Sequence, residues 1–155
     1  ITTPQLRLDN GGRIDTESAA ADGGNITLNI RDLLLMRRGS QISATAGTAQ
    51  QGGNGGNIAI NAPKGFIVGV KSENSDITAN AFTGSGGRVN ITAQGIFGLQ
   101  FRPNRTPFSD ITASSTFGIS GIVTLNTPNV DPSRGLAQLP TSLIDTNRIL
   151  ANSCI

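Results

Sequence analysis

The sequence predicts an all-β fold: a right-handed parallel β-helix of about four coils, each with three short strands. Three observations lead there. A Gly-Gly segment followed by alternating polar and apolar residues returns at offsets of 32, 31 and 34 residues. Two further strand families lie between its copies, always in the same order. Gly, Thr, Asn and Ser supply 63 of the 155 residues, with many Ile and Val beside them, which suits short strands joined by tight turns. An antiparallel sandwich also has many short strands, but it gives no reason for three strand types to recur in one order. Parallel crossovers are overwhelmingly right-handed, so that hand is expected.

The elements follow in order. Leu6-Arg7-Leu8 opens the chain as an early member of the third family, and Gly12 to Thr16 is a degenerate member of the second. The first family is Gly23 to Asn29, Gly55 to Asn61, Gly86 to Thr92 and Ser120 to Asn126. Its alternation is that of a strand with one buried face. The second family is Ser40 to Ala46, Ser75 to Ala81 and Ser109 to Ser114, and the third is Leu33 to Met36, Phe66 to Val70 and Ile96 to Phe101.

Stacked at the ~4.8 Å strand spacing, these strands place equivalent residues in ladders. Ile26, Ile58, Val89 and Val123 form one buried ladder, and Leu28, Ile60, Ile91 and Leu125 the next. Ile14, Ile42, Ile77 and Ile111 line another wall, with Thr78 facing outward. Ala44, Ala79 and Ala113 suit a narrow interior, and the Gly pairs supply positive φ or close approach at the corner entering the first strand. Pro63 and Pro128 fall just after a strand, where a missing N–H costs little. Asn29, Asn61 and Asn126 share one outward position with Thr92 as a polar row.

Coils are therefore assigned to residues 1–130. Beyond them the alternation stops. Residues 131–155 are expected to fold back as a C-terminal cap containing a short helix, because Leu136, Leu139, Leu143, Ile144, Ile149 and Leu150 supply apolar surface without a strand period. Ile1 and Ile155 read as cuts inside a longer protein.

Composition removes several function classes. There is no His, which excludes imidazole catalysis and histidine-held haem or zinc. One Cys excludes thiolate zinc sites and internal disulfides. The net charge is +2 and the only dense basic spot is Arg37-Arg38, so nucleic acid is not an expected partner. No apolar run approaches the ~20 residues of a membrane helix, so no transmembrane segment is expected. Nor is any cofactor. Trp and Tyr, the usual sugar platforms, are both absent.

The Gly-Gly-Asn-Ile-x-Ile-Asn segments with Ser-x-Ile-x-Ala strands resemble filamentous-haemagglutinin-like large exoproteins secreted by the two-partner route. The tail, with Asp131-Pro132-Ser133-Arg134-Gly135-Leu136, Leu139-Pro140-Thr141, Asp145-Thr146 and Cys154, looks like the segment that closes the β-helix in cyanobacterial members. The resemblance implies the C-terminal part of a β-helix in a secreted or cell-surface protein. Its implied role is structural and adhesive, without catalysis, and its implied partner is an outer-membrane secretion protein. A haem-use label attached to parts of this family gains no support from a chain without His.

Four features are candidates for chemistry. Asp76 and Asp110 take the same outward position in consecutive coils. Two stacked carboxylates offer an acid–nucleophile pair, as in retaining glycosidases, or a calcium site; the bland alternative is a solvated ladder. Arg102 to Phe108 is the longest interruption between strands, and Arg102, Arg105 and Phe108 would make a contact patch for an acidic surface polysaccharide or another protein. A tolerated insertion held by two prolines is the alternative. Gly52 to Asn57 resembles the calcium nonapeptide, but Asn57 stands where an Asp is needed and a corner loop is expected. Cys154 is either a buried thiol or one half of a disulfide with a Cys outside the fragment.

Overall fold

The computed structural model describes residues 1–128. The expected cap over 131–155, its short helix and Cys154 lie outside the described residues. Ten strands are present: β1 (Thr2–Leu8), β2 (Arg13–Asp15), β3 (Asn25–Met36), β4 (Gln41–Ser43), β5 (Asn57–Val68), β6 (Asp76–Thr78), β7 (Arg88–Phe97), β8 (Gln100–Phe101), β9 (Asp110–Thr112) and β10 (Ile122–Asn126). They form two parallel sheets, ordered β1-β3-β5-β7-β10 and β2-β4-β6-β9-β8. The first four coils each add one strand to each sheet, and β8 is an extra strand on the outer edge of β9, which makes a parallel β-solenoid of about four turns.

The expected ladders are the observed registers. Ile26 pairs with Ile58, Ile58 with Val89 and Val89 with Val123; Ile14, Ile42, Ile77 and Ile111 pair in the same way on the other sheet. Ile42, Ile60, Ile77, Ile91 and Ile111 have no exposed surface at all. Each coil thus covers the aliphatic row of its neighbours, and burying such a side chain contributes about 1.5–3 kcal/mol. Val123 is half-buried and Leu125 is 39% exposed, because among the described residues no strand follows β10.

The first and third strand families run into one another. In β3 and β5 a single long strand passes a register shift, between Asn29 and Leu33 and between Ala62 and Phe66. No turn separates the two families in β3, which is one continuous strand. Arg31 and Asp32 face solvent at the bend and pair at 2.8 Å, so the apolar phase resumes at Leu34 without leaving the sheet.

The alanine corner is narrow, as the small side chains demand. Backbone N–H groups of Gly56, Gly87 and Gly121 donate across it to the carbonyls of Ala44, Ala79 and Ala113 at 2.6–2.8 Å. Close approach, not positive φ, explains these glycines: a Cβ on Gly56 would run into the Gly24 carbonyl. In the first coil Thr16 stands at the alanine position. Its hydroxyl is buried against Gly24 and has no partner among the described residues.

Thr78 corrects an expectation. It is 2% exposed instead of facing water. Its hydroxyl donates to Ser43 Oγ at 3.0 Å and accepts from Thr45 Oγ1 at 3.2 Å, so hydroxyls on successive rungs close over one another. Of the expected asparagine row, Asn61 Nδ2 donates to Asn29 Oδ1 at 2.9 Å, whereas Asn126 Nδ2 turns to Asn90 Oδ1 at 2.9 Å; a second pair, Asn57 Nδ2 to Asn25 Oδ1 at 3.0 Å, lies outside that row.

Candidate functional site

The site is built by an insertion that doubles back. β8 lies on the far side of β9, where the next coil of that wall would otherwise pair. The chain must then recross the outer face to enter β9 from its N-terminal end. Residues 102–109 make that crossing, and they lie over the first residues of β6 and β9.

Those first residues are Asp76 and Asp110, and neither has exposed surface. The expectation of outward, solvated carboxylates is therefore wrong. The repeat does place them on the outer face, but the returning loop covers them. Arg102 Nη1 donates to Asp110 Oδ1 and also to the Ser109 carbonyl at 3.1 Å. Thr106 adds two donors to Asp110, its backbone N–H at 2.5 Å and its hydroxyl at 2.9 Å. Arg105 Nη2 reaches Asp76 Oδ2 at 2.8 Å, and the Asp110 backbone N–H donates to Asp76 Oδ1 at 2.9 Å. Burial pushes the Asp76 carboxyl up from its ordinary value, against the opposing pull of the Asp110 N–H and Arg105.

Hydroxyls and amides below the loop complete the closure. Ser109 Oγ donates to the Val70 carbonyl at 2.7 Å and accepts from the Ser75 N–H at 3.0 Å. The Asn74 side chain, with its nitrogen turned to the loop, donates to the Phe108 carbonyl at 3.1 Å. Phe108 is 42% exposed, with Lys71 Nζ 5.1 Å and Arg102 Cζ 5.4 Å from its ring centre. A cation at that distance is held by the ring face.

This arrangement changes what the candidates can do. A retaining acid–nucleophile pair needs two carboxyls open to substrate, and these two are closed by guanidinium and backbone donors. Calcium needs converging oxygens where arginines now stand. Among the described residues, no group of three or more Asp, Glu, His or Cys is placed to hold a metal. Arg102 is not free for an outside ligand, since its side chain is 15% exposed and points at Asp110. Arg105 remains half open, at 47%. Sequence reasoning missed Thr106, Ser109 and Asn74, whose roles depend on the loop's return path.

Two other motifs resolve simply. Within Gly52 to Asn57, Asn54 Oδ1 accepts from the Ser85 N–H and its own N–H donates to Asp22 Oδ1, both at 2.8 Å, so this stretch is a stacked corner. The basic pair Arg37-Arg38 is neutralised. Arg37 Nε pairs with Glu73 and Arg38 Nη2 with Asp9, each at 2.7 Å, and these contacts join three coils. The Arg37 guanidinium and the Arg38 N–H hold the Glu73 carboxyl down at about 2. Arg38 and Arg7 hold Asp9 well below the usual carboxylate range.

Among the described residues no helix is long and apolar enough to cross a membrane. No protein-family model, no curated protein and no solved structure matches the chain.

Proposed function

We propose that the chain is a non-catalytic structural and adhesive segment of a large exoprotein, secreted or held at the cell surface. In this reading it is the part of a β-helix near its C-terminal end. The observation that carries the reading is the closure of Asp76 and Asp110 by residues 102–108, which turns the candidate acids into braces between coils. β8 supports the placement near an end, since it occupies the edge of β9 that another coil would need. The partly covered Leu6, Leu8 and Ile14 of the opposite edge suit contact with a preceding coil. Export by an outer-membrane partner follows from the resemblance of the repeats and tail to the filamentous-haemagglutinin-like exoproteins.

The test uses beads coated with the purified chain. They are expected to retain bacterial cells above albumin-coated beads, and to release no reducing sugar from acidic polysaccharides. Equal retention would overturn the adhesive role. Sugar release that disappears on joint Asp76→Asn and Asp110→Asn replacement would overturn the non-catalytic one.

A further inference from the structure

We propose that the polar groove beside the returning loop binds uronic acid units of an acidic polysaccharide; this inference rests on the adhesive reading and gives it a ligand class. The groove is about 330 Å³. Its floor is the corner of three successive coils, represented by Thr45, Asn80 and Ser114. Three rungs span two strand spacings, about 10 Å, which suits two linked sugar units. Asn104 and Arg105 of the loop form one wall, and Phe82 adds an aromatic surface.

The chemistry of the lining selects the ligand. Asn80 Oδ1 is engaged from below by Thr112 Oγ1 at 2.9 Å and the Ser114 N–H at 2.8 Å. That fixes the amide and leaves its Nδ2 a donor without a protein acceptor among the described residues. The Asn104 side chain is likewise unbonded there. Arg105 uses Nη2 on Asp76, so Nε and Nη1 remain free while the guanidinium is already held in place. Apart from the Asn104 carbonyl oxygen, the free groups of these three side chains are donors, with one planar cation among them. A carboxylate matches that cation, and sugar hydroxyls accept from the amides. Because Asp76 orders Arg105 beforehand, little side-chain freedom is lost on binding. Phe82, set edge-to-face with Phe117 at 5.1 Å, offers its apolar surface to the C–H face of a sugar ring.

Calorimetric titration of the full chain with trigalacturonate tests the site, with neutral trigalactose as control. Saturable binding is expected to trigalacturonate, with trigalactose weaker by about tenfold or more. Arg105→Gln should weaken binding by about tenfold, and Asn104→Ala, which disturbs no brace, by a smaller factor. Circular dichroism of each variant checks that the coil is intact. Absence of saturable binding, equal binding of trigalactose, or full binding by both folded variants would overturn the proposal. Cell retention on coated beads without trigalacturonate binding would overturn the groove alone. Loss of both would overturn the adhesive reading as well.

Discussion

Replacing Asp110 by alanine removes the acceptor of three hydrogen bonds, from Arg102 Nη1, the Thr106 N–H and the Thr106 hydroxyl. The loss leaves a guanidinium that is 15% exposed and a half-buried backbone N–H. Breaking a fully buried ion pair from one side costs about 3–5 kcal/mol. Arg102 keeps the Ser109 carbonyl and Gln100 Oε1 as acceptors, at 3.1 and 3.3 Å, and retains some water. The expected cost is therefore about 2–4 kcal/mol. Urea denaturation of the parent, Asp110→Ala, Arg102→Ala and the double variant measures it. The double variant should be less destabilised than the sum of the singles, with a coupling energy of at least about 1 kcal/mol. A single-variant cost under about 0.5 kcal/mol with additive behaviour would show that the loop does not brace the acids.

Other perturbations probe separate parts of the stack. Thr16→Ala should raise the melting temperature, with a gain of about 1 kcal/mol, because it removes a buried hydroxyl without a partner and restores the alanine of the other coils; a lowered melting temperature would contradict this. Gly56→Ala should cost about 3 kcal/mol or more, since its Cβ would meet the Gly24 backbone, which is held by the sheet. Thermal denaturation of Gly39→Ala gives the comparison: its Cβ meets open space and only its φ of +74° resists, so about 1 kcal/mol is expected. Acid should loosen the Asp9–Arg38 and Arg37–Glu73 corner. The Glu73 carboxyl is depressed in the folded chain, so its contribution is present above its ordinary value of 4.5 and is lost as pH falls toward about 2. Asp76, raised by burial, acts in the opposite sense, since its protonation on acidification favours the folded state. Melting temperature followed from pH 5 to pH 2 should fall less steeply in Glu73→Gln than in the parent; identical slopes would remove the corner pair from the account.

The fold was legible because a solenoid writes its core into the sequence once per coil. Ile14, Ile42, Ile77 and Ile111 recur in one context, and one context means one environment. The same logic misplaced Asp76 and Asp110. Period two puts them on the outer face correctly, but an outer face is solvated only if nothing crosses it. Residues 102–109 occur once, so no repeat could announce their path. A signal was present in the spacing: two arginines and Thr106 stand within eight residues before Asp110, in a segment with few other charges. Thr78 failed for a related reason. A hydroxyl that repeats on adjacent rungs at strand spacing bonds to its neighbours, as Ser43 and Thr45 do here, and no longer needs water. The joining of the first and third families was hidden because Arg31-Asp32 looks like a turn but sits on a continuous strand.

The central claim is a stack of register-matched coils, and methyl NOE spectroscopy of isoleucine-labelled protein tests it most directly. Contacts are expected between Ile42 and Ile77, Ile77 and Ile111, Ile26 and Ile58, and Ile60 and Ile91, each pair one rung apart. Ile42 and Ile111, two rungs or about 10 Å apart, should show none or a much weaker one. Strong Ile42–Ile111 contact, or absence of the Ile77 contacts to both neighbours, would contradict the parallel stack and the site built on it.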